Sequence, residues 1–410
     1  MKIITLLKAK LASKKVMTIL SFLGLYFLST GVSLAVFSYL GGNPSVSWVS
    51  GSLDEARSKI NTNLPKTEEC PINGEKFTKV EKDIWSNRRP ITAVIENHLD
   101  SRPPSGLSRA DVVYEVVAEG GITRFLGVFY CGTAEADTRI GPIRSARVYL
   151  VNWAAEYADS PLFVHSGGAN TICKTCPGGV KSRSQVAREV DAFSLLTELG
   201  WRYFNGNALD AGTNIGYPEV WRDYERILGA ASEHTYMGST DKLYDVGIER
   251  GFGYKNSDGV AWNKSFSSWK FVDGAPQTPT ASKISFEFWS NKADYNVVWE
   301  YDKTNNIYKR SNGGKEHIDL DNKARLQAKN VVIQFVKERG PVDQESHMFY
   351  EAVGQGKALI FQNGSVIEGA WKKSSLSSRT KFFDSKGAEV SFVRGPIWIE
   401  AVPAGNEIDY

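Results

Sequence analysis

Charged and imidazole side chains crowd between Arg89 and Gly168, at the ends of apolar runs and beside glycine turns. Glu115 and Glu119 lie in an apolar segment that Gly120-Gly121 separates from Arg124. A two-residue glycine turn would pair Glu119 with Ile122, Val117 with Arg124 and Glu115 with Leu126. Both carboxylates would then share one sheet face with Arg124, which could reach each diagonally. Two carboxylates around one guanidinium form either an ion-paired face or an acid/base pair of the kind that cleaves glycosidic bonds. Downstream, Ile140 to Arg147 places Arg144 and Arg147 around Ser145, a natural helix N-cap. Free backbone N–H groups and two guanidinium forks suit a phosphate or carboxylate.

His165 ends a short apolar run before Ser166-Gly167-Gly168, and Glu96-Asn97-His98 end another. Strand ends beside glycine-rich loops are favoured site positions in α/β folds. The candidate catalytic groups are therefore Glu115, Glu119 and His165. The candidate ligand-binding groups are Glu96, His98, Arg124, Arg144, Ser145 and Arg147. Glu96, His98 and His165 are metal-ligating residue types, but no metal-binding spacing joins them, and no metal or other cofactor is expected. No GxSxG elbow supports a serine hydrolase, and no glycine loop has the Walker or Rossmann spacing. Whether the chain is an enzyme stays open.

These groups need strands and helices to position them. Ile91–Glu96 reads as a buried strand, Val112–Glu119 and Ile122–Tyr130 as a hairpin, and Leu162–His165 as a further strand. Ser145–Ala158 and Val186–Leu199 read as helices. From about Trp269 strands dominate, at 284–289, 295–301, 330–336, 357–361 and 398–402, with turns at Asn312-Gly313-Gly314 and Asn363-Gly364. The expected fold is a mixed α/β N-terminal domain followed by a β-rich antiparallel C-terminal domain, after an N-terminal transmembrane helix. In residue ranges this is a basic cytoplasmic tail 1–15, a membrane helix 16–40, an extracytoplasmic linker 41–66, an α/β domain 67–240, a connecting segment 241–268 and a β-rich domain 269–410.

The membrane assignment rests on Val16–Leu40, an uncharged run that as a helix spans roughly 38 Å, enough for a ~30 Å hydrocarbon core. Five lysines precede it and no acidic residue does, which places the N-terminus in the cytoplasm and the rest outside. The rival reading is a cleaved signal peptide with Ser33-Leu34-Ala35 at its end. Without the five lysines, 44 basic side chains face 46 acidic ones, so the net charge of +3 reflects the tail alone. A near-neutral body argues against nucleic acid as a partner. Four cysteines in an exported chain suggest disulfides, with Cys173/Cys176 in a CxxC loop and Cys70/Cys131 as the other pair; three pairings are open.

The block RPITAVIENHLDSRPPSGLSRADVVYEVVAEGGITRFLGVFY, with IGPIRSARVYLVNWAAEYADSPLFVHSGG, resembles the first domain of the YerB-type bacterial lipoproteins. NVVWEYDKTNNIYKRSNGGKEHID, LQAKNVVIQF, GQGKALIFQNGSVIEGAWKK and GPIWIEAVP are similar to that family's second domain. The resemblance covers most of residues 86–404 and implies an extracytoplasmic location. It assigns no activity, because the family has none assigned. Family members usually carry a lipid anchor on a cysteine after the signal, whereas the first cysteine here is Cys70. Expected partners are the membrane, through one helix, and an anionic cell-wall polymer or an envelope protein.

Overall fold

The main β-sheet crosses both halves of the chain. The computed structural model describes residues 21–26, 50–61, 63–157 and 160–410. Its principal strands are β1 (Ile91–Glu96), β2 (Val112–Val117), β3 (Thr123–Phe129), β4 (Leu162–His165), β5 (Ala208–Asp210), β6 (Lys283–Phe286), β7 (Val297–Asp302), β8 (Ile307–Asn312), β9 (Asn330–Val336), β10 (Gly354–Gln362), β11 (Ser365–Lys373), β12 (Lys381–Asp384) and β13 (Ile397–Pro403). Ten of them form one sheet in the order β12-β11-β10-β9-β13-β2-β3-β1-β4-β5. The two halves meet where β13 runs parallel to β2, pairing Ile397 with Val112 and Glu400 with Glu115. Residues 50–410 accordingly form one compact unit.

β1, β2 and β3 are buried along their whole length. Their near-continuous apolar runs fit a sheet covered on both faces, where alternation would serve no purpose. One face carries α3 (Val148–Ala154) and the 3₁₀ turn after it: Trp153 stacks on Tyr114, and Tyr157 and Tyr114 join hydroxyls at 2.9 Å. The other face is covered by a second sheet built on β6, β7 and β8. There Trp398 of β13 meets Trp299 of β7 and Phe125 of β3 edge to face. Each such buried aromatic contributes about 1.5–3 kcal/mol by leaving water, and more by ring geometry.

The structure corrects several expectations. The hairpin turn is wider than two residues. Ala118 N–H donates to the Ile122 carbonyl at 2.8 Å, and the pairing is Val117 with Thr123 and Glu115 with Phe125. Both glycines sit at positive φ, so Gly120-Gly121 does turn the chain, inside a five-residue loop. A shift of one residue sends side chains to opposite faces, so Glu115 and Arg124 do not share one. Helix α3 begins later than expected, with Arg147 rather than Ser145 at its N-cap and no side-chain cap bond. The strand-rich C-terminal half is not wholly antiparallel, since β9 and β13 run parallel.

Residues 50–58, expected within a linker, form helix α1 (Ser50–Ser58). Its Arg57 donates to Asp241 and to the Ala134 carbonyl, which fastens it to the folded unit. The connecting segment likewise begins in helix α5 (Thr240–Glu249), whose Tyr244 donates to the Phe129 carbonyl. Between these two in chain order lie α2 (Lys79–Trp85), closed by a Thr78/Glu81 capping box, and α4 (Ala192–Glu198), capped by Asp191. Cys70 is bonded to Cys131, and Cys173 to Cys176.

The membrane helix expected at 16–40 lies outside the described residues except for 21–26, which are helical. Among the described residues no helix is long and apolar enough to cross a membrane.

Candidate functional site

Glu96 closes β1 and pairs in register with Arg124 of β3, so the two side chains stand on the α3 face of the sheet. The segment after Arg139 is drawn across these strand ends. Glu96 N–H donates to the Pro142 carbonyl, Arg144 N–H to Val94, and Ala146 N–H to Gly167. Held extended, the segment delivers Arg144 and Arg147 to the same place. Arg144 Nε donates to Glu96 Oε1 at 2.9 Å, and Arg147 donates to Glu119. Arg124 reaches Glu119 at 3.2 Å and the Ser145 carbonyl at 3.2 Å. Ser145 thus enters the site through its backbone oxygen.

Three guanidiniums therefore share two carboxylates. Burial, reinforced by the charge of Arg147 beside it, brings Arg124 down to about 10. Burial alone would raise Glu119, but Arg124 and Arg147 overcome it and hold the carboxyl at about 2. Glu119 is thus ionised at any physiological pH and has no proton to give. Its folded-state value lies below its ordinary one, so its stabilisation is complete above about pH 4.5 and lost as pH falls towards 2. Glu119→Gln is expected to cost about 3 kcal/mol at pH 7. In urea unfolding the gap from wild type should narrow between pH 5 and pH 2; a gap independent of pH would show that the ion pairs contribute nothing.

His98 lies past the end of β1, where its Nδ1 accepts the Asp100 N–H and caps the turn Leu99–Ser101. Its ring stacks on His234 with centroids 4.7 Å apart. His234 is buried and places Nδ1 2.7 Å from Glu96 Oε2. The local sequence holds no signal for its role, because Glu96 is 138 residues away.

Two candidates stand elsewhere. Glu115 is fully buried on the opposite face of the sheet. It accepts from Arg310 of β8, Thr123 and Asn97. Glu400, its neighbour in register, accepts from Trp299 Nε1 at 2.9 Å and lies 3.5 Å from Arg310 Nε. Burial and then the Glu115 charge push Glu400 well up. This is a buried node joining the two sheets, with no access for a substrate. His165 is also fully buried, packed against Phe163 and Phe193, with Nδ1 donating to the Gly167 carbonyl at 2.8 Å. Burial lowers its pKa, and the neutral ring is a structural one.

The C-terminal half walls the site. Tyr350 packs edge to face on Tyr149 of α3, and its hydroxyl donates to Glu338 at 2.5 Å. Asp343, between Glu338 and Tyr350 in sequence, ties this segment to the N-terminal half by accepting the Ala187 N–H.

A two-face-covered sheet with a charged cluster at its strand ends, shared by an α/β half and a strand-rich half, defines the class of protein. Residues 77–208 match the N-terminal domain of the protein family of unknown function DUF3048, and residues 284–399 match its C-terminal domain. The chain belongs to this YerB-type family. It is 29% identical over 337 residues to "Putative lipoprotein YerB" of Bacillus subtilis (strain 168), covering 82% of this chain and 86% of that one. It is also similar to the crystal structure of the YerB protein from Bacillus subtilis, with a TM-score of 0.63 and 26% identity over 84% of this chain and 100% of that one.

Proposed function

We propose that this chain is a membrane-anchored extracytoplasmic protein that holds an anionic envelope ligand through Arg124, Arg144 and Arg147. The ligand would be a phosphate- or carboxylate-bearing wall polymer, or an acidic segment of an envelope protein. The observation that supports this most is the unequal sharing of three guanidiniums by Glu96 and Glu119. The surplus positive charge stands at strand ends, and the Arg144 side chain is a quarter exposed. Two disulfides favour an oxidising compartment, and the Bacillus subtilis relative is named as a lipoprotein. We propose Val16–Leu40 as the anchor, with the N-terminus in the cytoplasm; protease shaving of intact cells should then remove the folded unit.

The alternative, a wall-polymer hydrolase or transferase using Glu115 and Glu119, finds less support. The two carboxylates lie on opposite faces of the sheet, one is sealed, and the other is held ionised. The test is calorimetric titration of the full chain in detergent with glycerol-phosphate oligomers and with muropeptides. Arg144→Ala is expected to weaken binding at least about tenfold, the cost of a charge-assisted hydrogen bond. Binding unchanged by Arg144→Ala would refute the arginine site, and none with either ligand would refute the wall polymer and leave the acidic protein segment as the ligand.

A further inference from the structure

From the convergence of His98, Asp100 and His234 we infer that this face of the strand ends is a divalent transition-metal site. One donor atom of each residue lies within 4.8 Å of the donors of the other two. His98 Nδ1 and Asp100 Oδ2 are 3.7 Å apart. Two ligands at about 2.0–2.1 Å in tetrahedral geometry stand roughly 3.3–3.4 Å apart, so this pair needs a small closure and the pairs with His234, within 4.8 Å, a larger one. Asp100 is well exposed and His98 partly so, and both can make them.

A second, independent feature is the orientation of His234. Its Nδ1 donates to Glu96 Oε2 at 2.7 Å, which leaves Nε2 as the nitrogen with a free lone pair. Arg144 holds the other oxygen of Glu96, so the carboxylate is itself fixed. A carboxylate that sets the tautomer and ring plane of an imidazole is the outer-shell arrangement of histidine metal ligands. The His98 ring lies near-parallel to that of His234, 13° between planes, so the two lone pairs converge on one ion only when His98, which is partly exposed, turns out of this stack.

Two imidazoles and one carboxylate select zinc, cobalt or a similar borderline ion over calcium and magnesium, which prefer all-oxygen shells. Binding replaces the Asp100 N–H···Nδ1 bond of His98 by a metal bond. Three protein ligands leave one position of a tetrahedral ion open to solvent or to another ligand. This inference does not rest on the anion-binding reading, although a metal beside Arg144 would add positive charge to the same strand ends.

The experiment is titration of the full, untagged chain, stripped with a chelator, with Co2+ alone, followed by its visible absorption and by displacement with Zn2+. One Co2+ per chain is expected, with intense bands of low-coordinate cobalt that Zn2+ abolishes. His98→Ala, at a partly exposed turn position, should remove the bands while leaving the circular dichroism unchanged. Glu96→Gln should weaken binding by about 10–100-fold, as outer-shell changes do. No stoichiometric binding, or bands that survive in folded His98→Ala, would overturn the proposal. Because the readout contains no anionic polymer, it is unaffected by failure of the other reading.

Discussion

Arg310→Met is expected to destabilise the chain by about 3–5 kcal/mol, since removing one partner of a buried charge cluster leaves the others uncompensated. Arg310 has no exposed side-chain surface and stands between Glu115 and Glu400, which belong to neighbouring strands. His317 cannot replace its charge. Burial and the adjacent Arg310 push that imidazole far down, so neutral His317 accepts from Arg310 at Nδ1. The measurement is urea unfolding of Arg310→Met at pH 7, and a loss under about 1 kcal/mol would mean that the node does not hold the sheets together.

The pH dependence of the same cluster separates its two carboxylates. Burial and then the Glu115 charge raise Glu400, so it keeps its proton in the folded chain at pH values where the unfolded chain has lost it. A raised folded-state value gives stabilisation that is complete below the unfolded pKa and is lost as pH rises through the folded one. Glu400→Gln mimics the protonated form. It should match wild type in mild acid and gain on it as pH rises. Glu115→Gln, by contrast, strips Arg310 of its counter-charge and should be the more destabilising at neutral pH. The reverse ranking would assign the proton to Glu115.

The second large effect is expected from the Cys70–Cys131 disulfide. The bridge closes a loop of 61 residues, which in the chain-entropy relation is worth about 4 kcal/mol. Both cysteines are fully buried, beside Asp111, whose carboxylate accepts the N–H groups of Tyr130, Cys131 and Gly132. The double replacement Cys70→Ser/Cys131→Ser should therefore lower the unfolding free energy by several kcal/mol. Cys173–Cys176 spans three residues in an exposed loop, and its loss should change global stability far less. Equal losses from the two bridges would contradict the loop-length argument.

Much of the strand layout was legible locally. Runs such as ITAVIE, VVYEVV and NVVIQFV are β-branched, uninterrupted and bounded by turn residues, and each is a strand close to its expected limits. Of the candidate residues, Glu96, His98, Glu119, Arg124, Arg144 and Arg147 stand together at the strand ends, whereas Glu115 and His165 are buried elsewhere. The sequence carried a hint for the buried node as well: Glu115 and Glu400 are single carboxylates inside otherwise apolar strands, which marks them as buried and in need of a partner.

The remaining contacts follow from long-range geometry. The face of Glu115 depended on a one-residue difference in hairpin register, which residue types around two glycines do not specify. Its partner Arg310 is 195 residues away and is chosen by how two sheets stack. His234 reaches Glu96 because a distant turn folds back over the strand ends. The union of the halves through β2 and β13 is likewise a pairing between strands at opposite ends of the folded unit. By itself the sequence determined which residues must be buried, turned or charged. Which of them touch was set by packing, because hydrophobic burial and ion pairing act through space and leave no fixed spacing along the chain.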